Sequence, residues 1–517
     1  MELERTANAK RNMVFGFLNR FVSLAMPFIN RTVFIYILGA EYLGLNSLFA
    51  SILQMLSLAE LGVGGVIVYH MYEPIARNDR GAICALLRLY RKIYRVIGSV
   101  ILLVGLLLIP FLPQLIHGDV PDGVNLYLVY GLYLLNTVIS YWFFIYKASI
   151  PNAFQRADLV SNIATLVQVV QAVSQIAAVY FLRSYYVYLV MMPLATLLNN
   201  FLISYVVGRY YPQFHCAGQV APEVVRDIKV KVAGMMIHRV CGTTRNSLDS
   251  ICLASFVGLV VTGIYNNYYY VIASVTSFFA IFSAAVVAGI GNSIVLYDTE
   301  KNYQDMRRVN FLYMVVAAWS SVFLLLLYQP FMQIWVGEEM MLPFGMAVLF
   351  MLYFYVLKMG DIRAVYVDAA GLWWEQRWRA LAETAANLVL NIALGWYFGV
   401  WGIVVATLLS LFVINFCWGS RIVFDCYFKN GKVGEYYRDH AVYFLVMALV
   451  VGICYGVGSA VTMNVYVLFI FRVFVALFVP PVLFYLCYRR WTVARAAAGW
   501  FAERFHFGKW LCRGKRS

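Results

Sequence analysis

Runs of about 20 apolar residues recur along almost the whole chain, and that is the length a helix needs to cross a bilayer. They lie near 13–38, 43–69, 93–116, 124–146, 158–181, 184–208, 233–256, 264–290, 311–336, 343–366, 380–398, 400–424, 441–462 and 465–488. That makes about fourteen spans. No polar stretch between them is long enough to fold as a soluble domain of its own. Of 517 residues, 63% are hydrophobic and 13% charged, against roughly half and a quarter in a soluble domain. The surplus apolar surface must meet lipid, so the chain is expected to be an all-α integral membrane protein. Its first span runs to Leu38, too long for a signal-peptide core, with no small-residue cleavage site after it. It reads as a retained helix.

Charge then sets the orientation. Alternate connections carry Lys10 and Arg11, then Arg77, Arg80, Arg88, Arg91 and Lys92, then Lys147 and Arg156. The same set continues with Arg209, Arg226, Lys229 and Lys231, with Lys301, Arg307 and Arg308, with Arg377 and Arg379, and with Lys429, Lys432 and Arg438. The opposite set, near Glu41, Asp119, Glu338 and Ser459, holds Arg183 as its one base. The positive-inside rule makes the basic set cytoplasmic and leaves both termini inside, as expected for a bacterial inner (cytoplasmic) membrane protein. The net charge of +15 therefore reads as loops facing anionic membrane lipid, with no nucleic acid involved. Beyond Tyr488, Val493, Ala497, Trp500, Phe501 and Phe505 recur at helical spacing among Arg495, Arg504, Lys509 and Arg513. Such a basic amphipathic tail either lies on the inner leaflet or docks a partner.

Nine cysteines are scattered, with no CxxC pair and no Cys/His cluster at metal spacing. Neither metal, cofactor nor disulfide is expected. The connections are also too short to carry an enzyme's chemistry outside the membrane.

A weak internal repeat is present. Leu38-Gly39-Ala40-Glu41-Tyr42-Leu43-Gly44-Leu45-Asn46 resembles Val257-Gly258-Leu259-Val260-Val261-Thr262-Gly263-Ile264-Tyr265-Asn266, with one inserted residue aligning the asparagines. The same offset sets Arg20 against Arg239. Duplicated halves are common in secondary transporters. The expected organisation is two pseudo-symmetric six-helix lobes, 1–210 and 211–428, then two extra helices in 429–488 and the tail in 489–517.

An ionisable group within a membrane costs at least a few kcal/mol and normally faces a cavity or a partner. Arg20 and Arg31 share one face of the first span, about 16 Å apart along its axis, with Pro27 between them to bend it. Snorkelling to an interface is the plainer alternative for such side chains. Span 7 holds His238, Arg239, Arg245 and Asp249, of which the last two are spaced to pair. Span 10 carries Lys358, Asp361 and Arg363, while Glu60 and Glu383 lie toward the cytoplasmic ends of spans 2 and 11. Arg472 reads as a snorkelling side chain. A mostly basic interior suits an anionic passenger, because arginine grips phosphate with a planar double donor. The 38 tyrosines and 12 tryptophans exceed what interfacial belts need. Stacking on sugar rings could use some of them, and packing could absorb all.

The stretches Asn30-Arg31-Thr32, Leu38-Gly39-Ala40-Glu41-Tyr42-Leu43-Gly44-Leu45-Asn46-Ser47-Leu48-Phe49 and Leu56-Ser57-Leu58-Ala59-Glu60-Leu61-Gly62 resemble bacterial polysaccharide transporters. These are the Wzx-type oligosaccharide flippases of the multidrug/oligosaccharidyl-lipid/polysaccharide (MOP) exporter superfamily. Tyr90-Arg91-Lys92-Ile93-Tyr94-Arg95 and Gly371-Leu372-Trp373-Trp374-Glu375-Gln376-Arg377-Trp378-Arg379 look like that family's basic cytoplasmic loops. The resemblance implies a MATE/MOP-like, two-lobed transporter working by alternating access. It would flip an undecaprenyl-diphosphate-linked oligosaccharide, a repeat unit of capsule or lipopolysaccharide, as an H+ or Na+ antiporter alongside polysaccharide-assembly proteins. It also implies Arg20, Arg31, Arg239 and Arg245 as substrate contacts, and leaves Glu60, Asp249 and Asp361 as ion-coupling candidates. A lipid II flippase of the same superfamily fits nearly as well. A multidrug extruder fits the sign of the buried charge poorly. A membrane glycosyltransferase or O-antigen polymerase usually needs a large external loop or an acidic pair, and the first external loop has Glu41 alone.

Overall fold

Inside a bilayer every backbone amide and carbonyl has to be bonded within the protein, and a helix does so within one segment. The computed structural model describes residues 5–57, 63–116, 121, 123–154, 156–461 and 464–504, and among these it contains helices and no strand. Each interval expected as a span falls largely on helix where it is described. Among the described residues 8 helices are long and apolar enough to cross a membrane, and 9 if one bent pair counts as a single span. The protein is a multi-pass membrane protein.

The chain divides into two compact units, Met1–Asn266 and Asn267–Ser517. The first holds α1 (Arg5–Leu38), α2 (Ala40–Leu56), α3 (Val63–Ala76), α4 (Arg80–Leu108), α5 (Leu126–Trp142), α6 (Ser149–Ala153), α7 (Ala157–Leu182), α8 (Tyr185–Tyr210), α9 (Pro222–Phe256) and the first turns of α10 (Leu259–Leu296). Helix α1 packs along α7 and α7 along α8, α5 lies against α4 and α8, and α2 packs along α9. Side-chain caps fix several starts. Asp79 accepts the Ala82 amide at 2.9 Å, and Asn125 accepts those of Tyr127 and Leu128 at 3.1 and 3.2 Å, satisfying donors a helix end would otherwise leave open.

The bend between α5 and the short Ile145–Ala153 segment is 51°. It centres on Phe144, whose φ of 56° is left-handed, a conformation that costs a bulky residue about 1–3 kcal/mol. Its ring is held against Phe201 at 5.4 Å, and Lys147, 5.4 Å above that ring, donates to Ser204 at 2.8 Å.

The repeated glycines have matching geometry. Gly39 and Gly258 both take positive φ, 98° and 117°, where a side chain would strain the backbone. Gly44 and Gly263 sit at a close approach of α2 and α10. A Cβ on Gly44 would lie 1.9 Å from the Leu259 carbonyl oxygen, and one on Gly263 would lie 2.7 Å from that of Ala40. Under the repeat's numbering Leu259 corresponds to Ala40, so the contact is reciprocal, the signature of a two-fold relation.

The second unit continues with α11 (Thr299–Val336), α12 (Phe344–Met359), α13 (Asp361–Ala370), α14 (Arg377–Phe398), α15 (Val400–Leu409), α16 (Gly419–Val423), α17 (Val433–Ser459), α18 (Val465–Tyr488) and α19 (Thr492–Arg504), with a π-helical stretch over Ser410–Trp418. Helix α11 is its axis, packed against α12, α17, α18 and α19. The tail helix is not free along its length: Val493, Ala494 and Ala497 are buried, and Trp491 stacks 5.7 Å from Tyr488. Trp500, Phe501 and Phe505 lie outside the described side chains.

Several basic residues expected in loops sit on helices. Helices α10 and α11 are each 38 residues long, about 57 Å at 1.5 Å per residue, well beyond a hydrocarbon core of about 30 Å. Lys301, Arg307 and Arg308 lie on the first turns of α11, and Arg88, Arg91 and Lys92 on α4. The sequence marked the charge correctly, but the helix continues past the apolar run.

Candidate functional site

In the first unit a polar cluster lies within the helix bundle, built from five helices. From α1, the Asn30 amide donates to Gln175 of α7 at 2.9 Å and to the Tyr188 hydroxyl of α8 at 3.4 Å. Gln175 in turn donates to the Tyr188 carbonyl at 3.2 Å. The side-chain amide oxygen of Asn46, on α2, accepts from Tyr133 of α5 at 2.7 Å and from Tyr185 of α8 at 2.6 Å. Phe34 packs 4.8 Å from Tyr188, and Tyr42 lies 5.0 Å from Tyr185. Arg31 follows Asn30 directly, has a guanidinium nitrogen shielded from solvent, and lies within electrostatic reach of the Tyr188 hydroxyl. Buried amides and phenols need such partners, because an unmet polar group costs about 1–3 kcal/mol. Chemically the cluster offers one cation, several hydroxyls and several flat rings.

Asp249 on α9 is buried and accepts from Tyr265 of α10 at 3.2 Å. Nearby, Ser250 donates to Asn266 at 3.4 Å and Ser247 to Gln54 at 3.4 Å. Arg245 is half-buried one turn before Asp249. Arg20 and Arg239 lie on α1 and α9, but their side chains are outside the described residues. Glu60 lies outside them altogether.

The second unit closes its buried cations. Lys358, on α12, donates at 2.6 Å to Asp361, which also accepts from the Tyr313 hydroxyl of α11. Arg363 donates to the Asn415 carbonyl at 2.7 Å and to its amide oxygen at 2.9 Å. Asn415 lies in the π-helical stretch, and its own amide donates to Glu383 at 2.8 Å. Glu383 accepts from Arg379 at 2.6 Å. Gly419 makes room for this group, since a Cβ there would fall 1.8 Å from an Arg363 nitrogen. Farther along, Arg307 of α11 grips Asp439 of α17 at 2.7 and 2.9 Å, and buried His440 meets the Asn310 amide at 3.0 Å.

Asp439, His440 and Asn415 were missed by sequence reading, and Arg307 and Arg379 were expected in loops. The Arg379–Glu383 pair was legible from its four-residue spacing. Arg307 and Asp439 are 132 positions apart, and nothing local links them. Arg472 also has protein partners: it donates to the carbonyls of Gly458 and Leu326, both at 3.1 Å.

Comparison with known proteins gives the arrangement its context. A lipid II flippase, MurJ, in an inward closed conformation matches with a TM-score of 0.66 at 13% identity, over 92% of this chain and 98% of its own. An inward-facing multidrug resistance MATE family transporter of the MOP superfamily matches with a TM-score of 0.61 at 13% identity, over 77% of this chain and 94% of its own. A mutant of the Vibrio cholerae MATE transporter VcmN matches at 0.52 with 14% identity, over 84% and 99%. At these identities the likeness is one of fold. No curated protein sequence matches. A family model described as polysaccharide biosynthesis protein matches residues 9–290, more than half the chain. The chain belongs to the polysaccharide biosynthesis protein family, and its fold is like that of the MurJ and MATE structures it matches.

Proposed function

We propose that the protein flips an undecaprenyl-diphosphate-linked oligosaccharide across the bacterial inner membrane by alternating access, and that it catalyses no bond-making step. The observation that carries this reading is Arg31 set among amides and tyrosines inside a membrane helix bundle. A guanidinium meets a diphosphate with paired charge-assisted bonds, and phenolic hydroxyls with flat rings suit the sugars beyond it. Arg20, Arg239 and Arg245 join Arg31 as substrate contacts in this proposal. The reciprocal contact of Gly44 and Gly263 supports pairing of two equivalent lobes, 1–210 and 211–428, at a seam that opens and closes. The distribution of basic residues supports a cytoplasmic position for both termini.

Coupling to H+ or Na+ needs a carboxylate that can change partners. Asp249, held by Tyr265, and Asp361, held by Lys358 and Tyr313, are the proposed candidates, with Glu60. Collapsing the ion gradient across vesicles should then stop flipping.

The test is complementation of a strain lacking its own flippase. Each charge-assisted bond is worth about 1.5–3 kcal/mol, so losing a bidentate pair should lower export by roughly 10²–10⁴-fold. Arg31→Ala should remove surface glycan while protein stays in the membrane. Arg31→Lys should restore part of it, keeping the charge and losing the fork. Normal glycan from Arg31→Ala would reject the site. Rescue of a strain depleted of its lipid II flippase, without rescue of surface glycan, would move the substrate to peptidoglycan precursor.

A further inference from the structure

Helix α4 has two faces with different fates. Its inner face is locked to α5: a Cβ on Gly98 would lie 2.7 Å from the Trp142 ring, and one on Gly105 would lie 2.4 Å from Leu134. Rotation about the helix axis is thereby blocked, and the opposite face stays outward. That face carries a groove of about 560 Å³, within the range of roughly 300–1,000 Å³ usual for ligand sites. At one end lie Arg88, Arg91, Lys92 and Arg95; beyond them come Val96, Val100 and Leu103. Leu103 and Leu107 are 61% and 63% exposed, large apolar groups that the protein leaves mostly uncovered.

Charge in the groove has one sign. No acidic residue occurs anywhere in α4. The described ion pairs of this unit are His70–Asp227, Arg77–Glu73 and Arg156–Asp158, and none involves the four cations. Arg88 spends one bond on the Gly218 carbonyl, at 3.0 Å. Such a cluster calls for an anion, and the apolar strip directly beneath it calls for hydrocarbon. The length of the strip selects the kind of molecule. From Val96 to Leu107 is about 16 Å at 1.5 Å per residue, which matches the roughly 15 Å of one leaflet. A polyprenyl carrier would overrun a single leaflet, whereas an acyl chain would not.

We propose that this groove binds one anionic glycerophospholipid of the leaflet at the basic end of α4, its phosphate among Arg88, Arg91, Lys92 and Arg95 and an acyl chain along Val96, Val100 and Leu103. The site is separate from the Arg31 cluster and does not depend on what the protein transports.

Full-length protein reconstituted in nanodiscs of equal phosphatidylglycerol and phosphatidylcholine, then released for native mass spectrometry, reports which lipid stays bound. Wild type should retain phosphatidylglycerol preferentially. The triple variant Arg91→Gln, Lys92→Gln, Arg95→Gln should lose that preference by about fivefold per charge removed. Arg91→Lys with Arg95→Lys should keep it, which separates loss of charge from loss of fold. Removing two bases elsewhere, Arg209→Gln with Lys229→Gln, should leave it unchanged. Equal retention by wild type and triple variant would overturn the proposal, and so would an equal loss in the Arg209/Lys229 control. A polyprenyl diphosphate added at the same concentration should not displace the phospholipid; displacement would overturn it too, by making the groove a substrate site.

Discussion

Both units pair cations with acids, Arg156 with buried Asp158 in the first at 3.0 Å, but the surroundings of Arg31 differ from those of the second unit's cations. In Asn267–Ser517, Lys358, Arg307 and Arg379 each reach a carboxylate within 3 Å, and Arg363 is held by the carbonyl and amide oxygens of Asn415. Around Arg31 in Met1–Asn266 the described bonds join neutral groups, the amides of Asn30, Asn46 and Gln175 and the hydroxyls of Tyr133, Tyr185 and Tyr188. A cation matched by an acid on a neighbouring helix presents little net field and works as a brace. The Arg31 guanidinium sits beside amides, hydroxyls and flat rings, and in the function proposed a passing anion draws on those donors together with its charge. The same residue type is therefore structural in one unit and, in the function proposed, a recognition group in the other.

That contrast is open to direct attack. Breaking a buried pair by removing one partner leaves the other charge stranded and costs about 3–5 kcal/mol. Arg307→Ala and Arg379→Ala should each destabilise the protein by that amount, seen as a large fall in melting temperature in detergent and low protein in membranes. Arg31→Ala should instead melt near wild type and fail in export. If Arg31→Ala unfolds while Arg307→Ala folds without exporting, the roles of the two units are exchanged.

A smaller effect tests the seam between α2 and α10. Adding a methyl group at Gly44 places it against the Leu259 carbonyl oxygen, which is backbone and cannot swing aside. Gly44→Ala should cost about 1–3 kcal/mol by overpacking, and Gly263→Ala less, because its nearest atom is farther away. Equal melting of both variants and wild type would remove the reciprocal contact. A stable protein with impaired export would tie the seam to the transport cycle.

How much of this was legible follows from the range of each interaction. Apolar runs gave the helices, because spanning length is a local property of the chain. The glycines at 39, 44, 258 and 263 were visible as a repeat, but not that Gly44 would face the equivalent of Ala40. The arginines of span 1 were visible; the tyrosine shell was not. Tyr133 and Tyr185 lie 87 and 139 positions from Asn46, where they meet, and 38 tyrosines offer no local reason to choose those two. Asp439 and His440 were hidden because they follow a basic loop and look like its continuation. Burial by α11 is what changes their meaning.

The smallest prediction isolates environment from sequence pattern. Arg77 and Glu73 are four residues apart on α3 and its edge, with N···O 2.7 Å, and both side chains are at least 70% exposed. Arg379 and Glu383 have the same spacing at 2.6 Å, and neither is more than 9% exposed. Spacing alone scores these pairs alike, and their order favours the Glu73–Arg77 pair. The exposed pair is screened by water and must order two long side chains, so it contributes about 0.3–0.5 kcal/mol. Arg77→Ala should shift the melting temperature barely above measurement error, and added salt should leave the variant and wild type closer still. Arg379→Ala should shift it by several times more, with little dependence on salt, because its partner has no solvent to fall back on. If the two variants melt alike, burial is not what distinguishes the charges of this protein, and the separation of bracing cations from recognition cations fails with it.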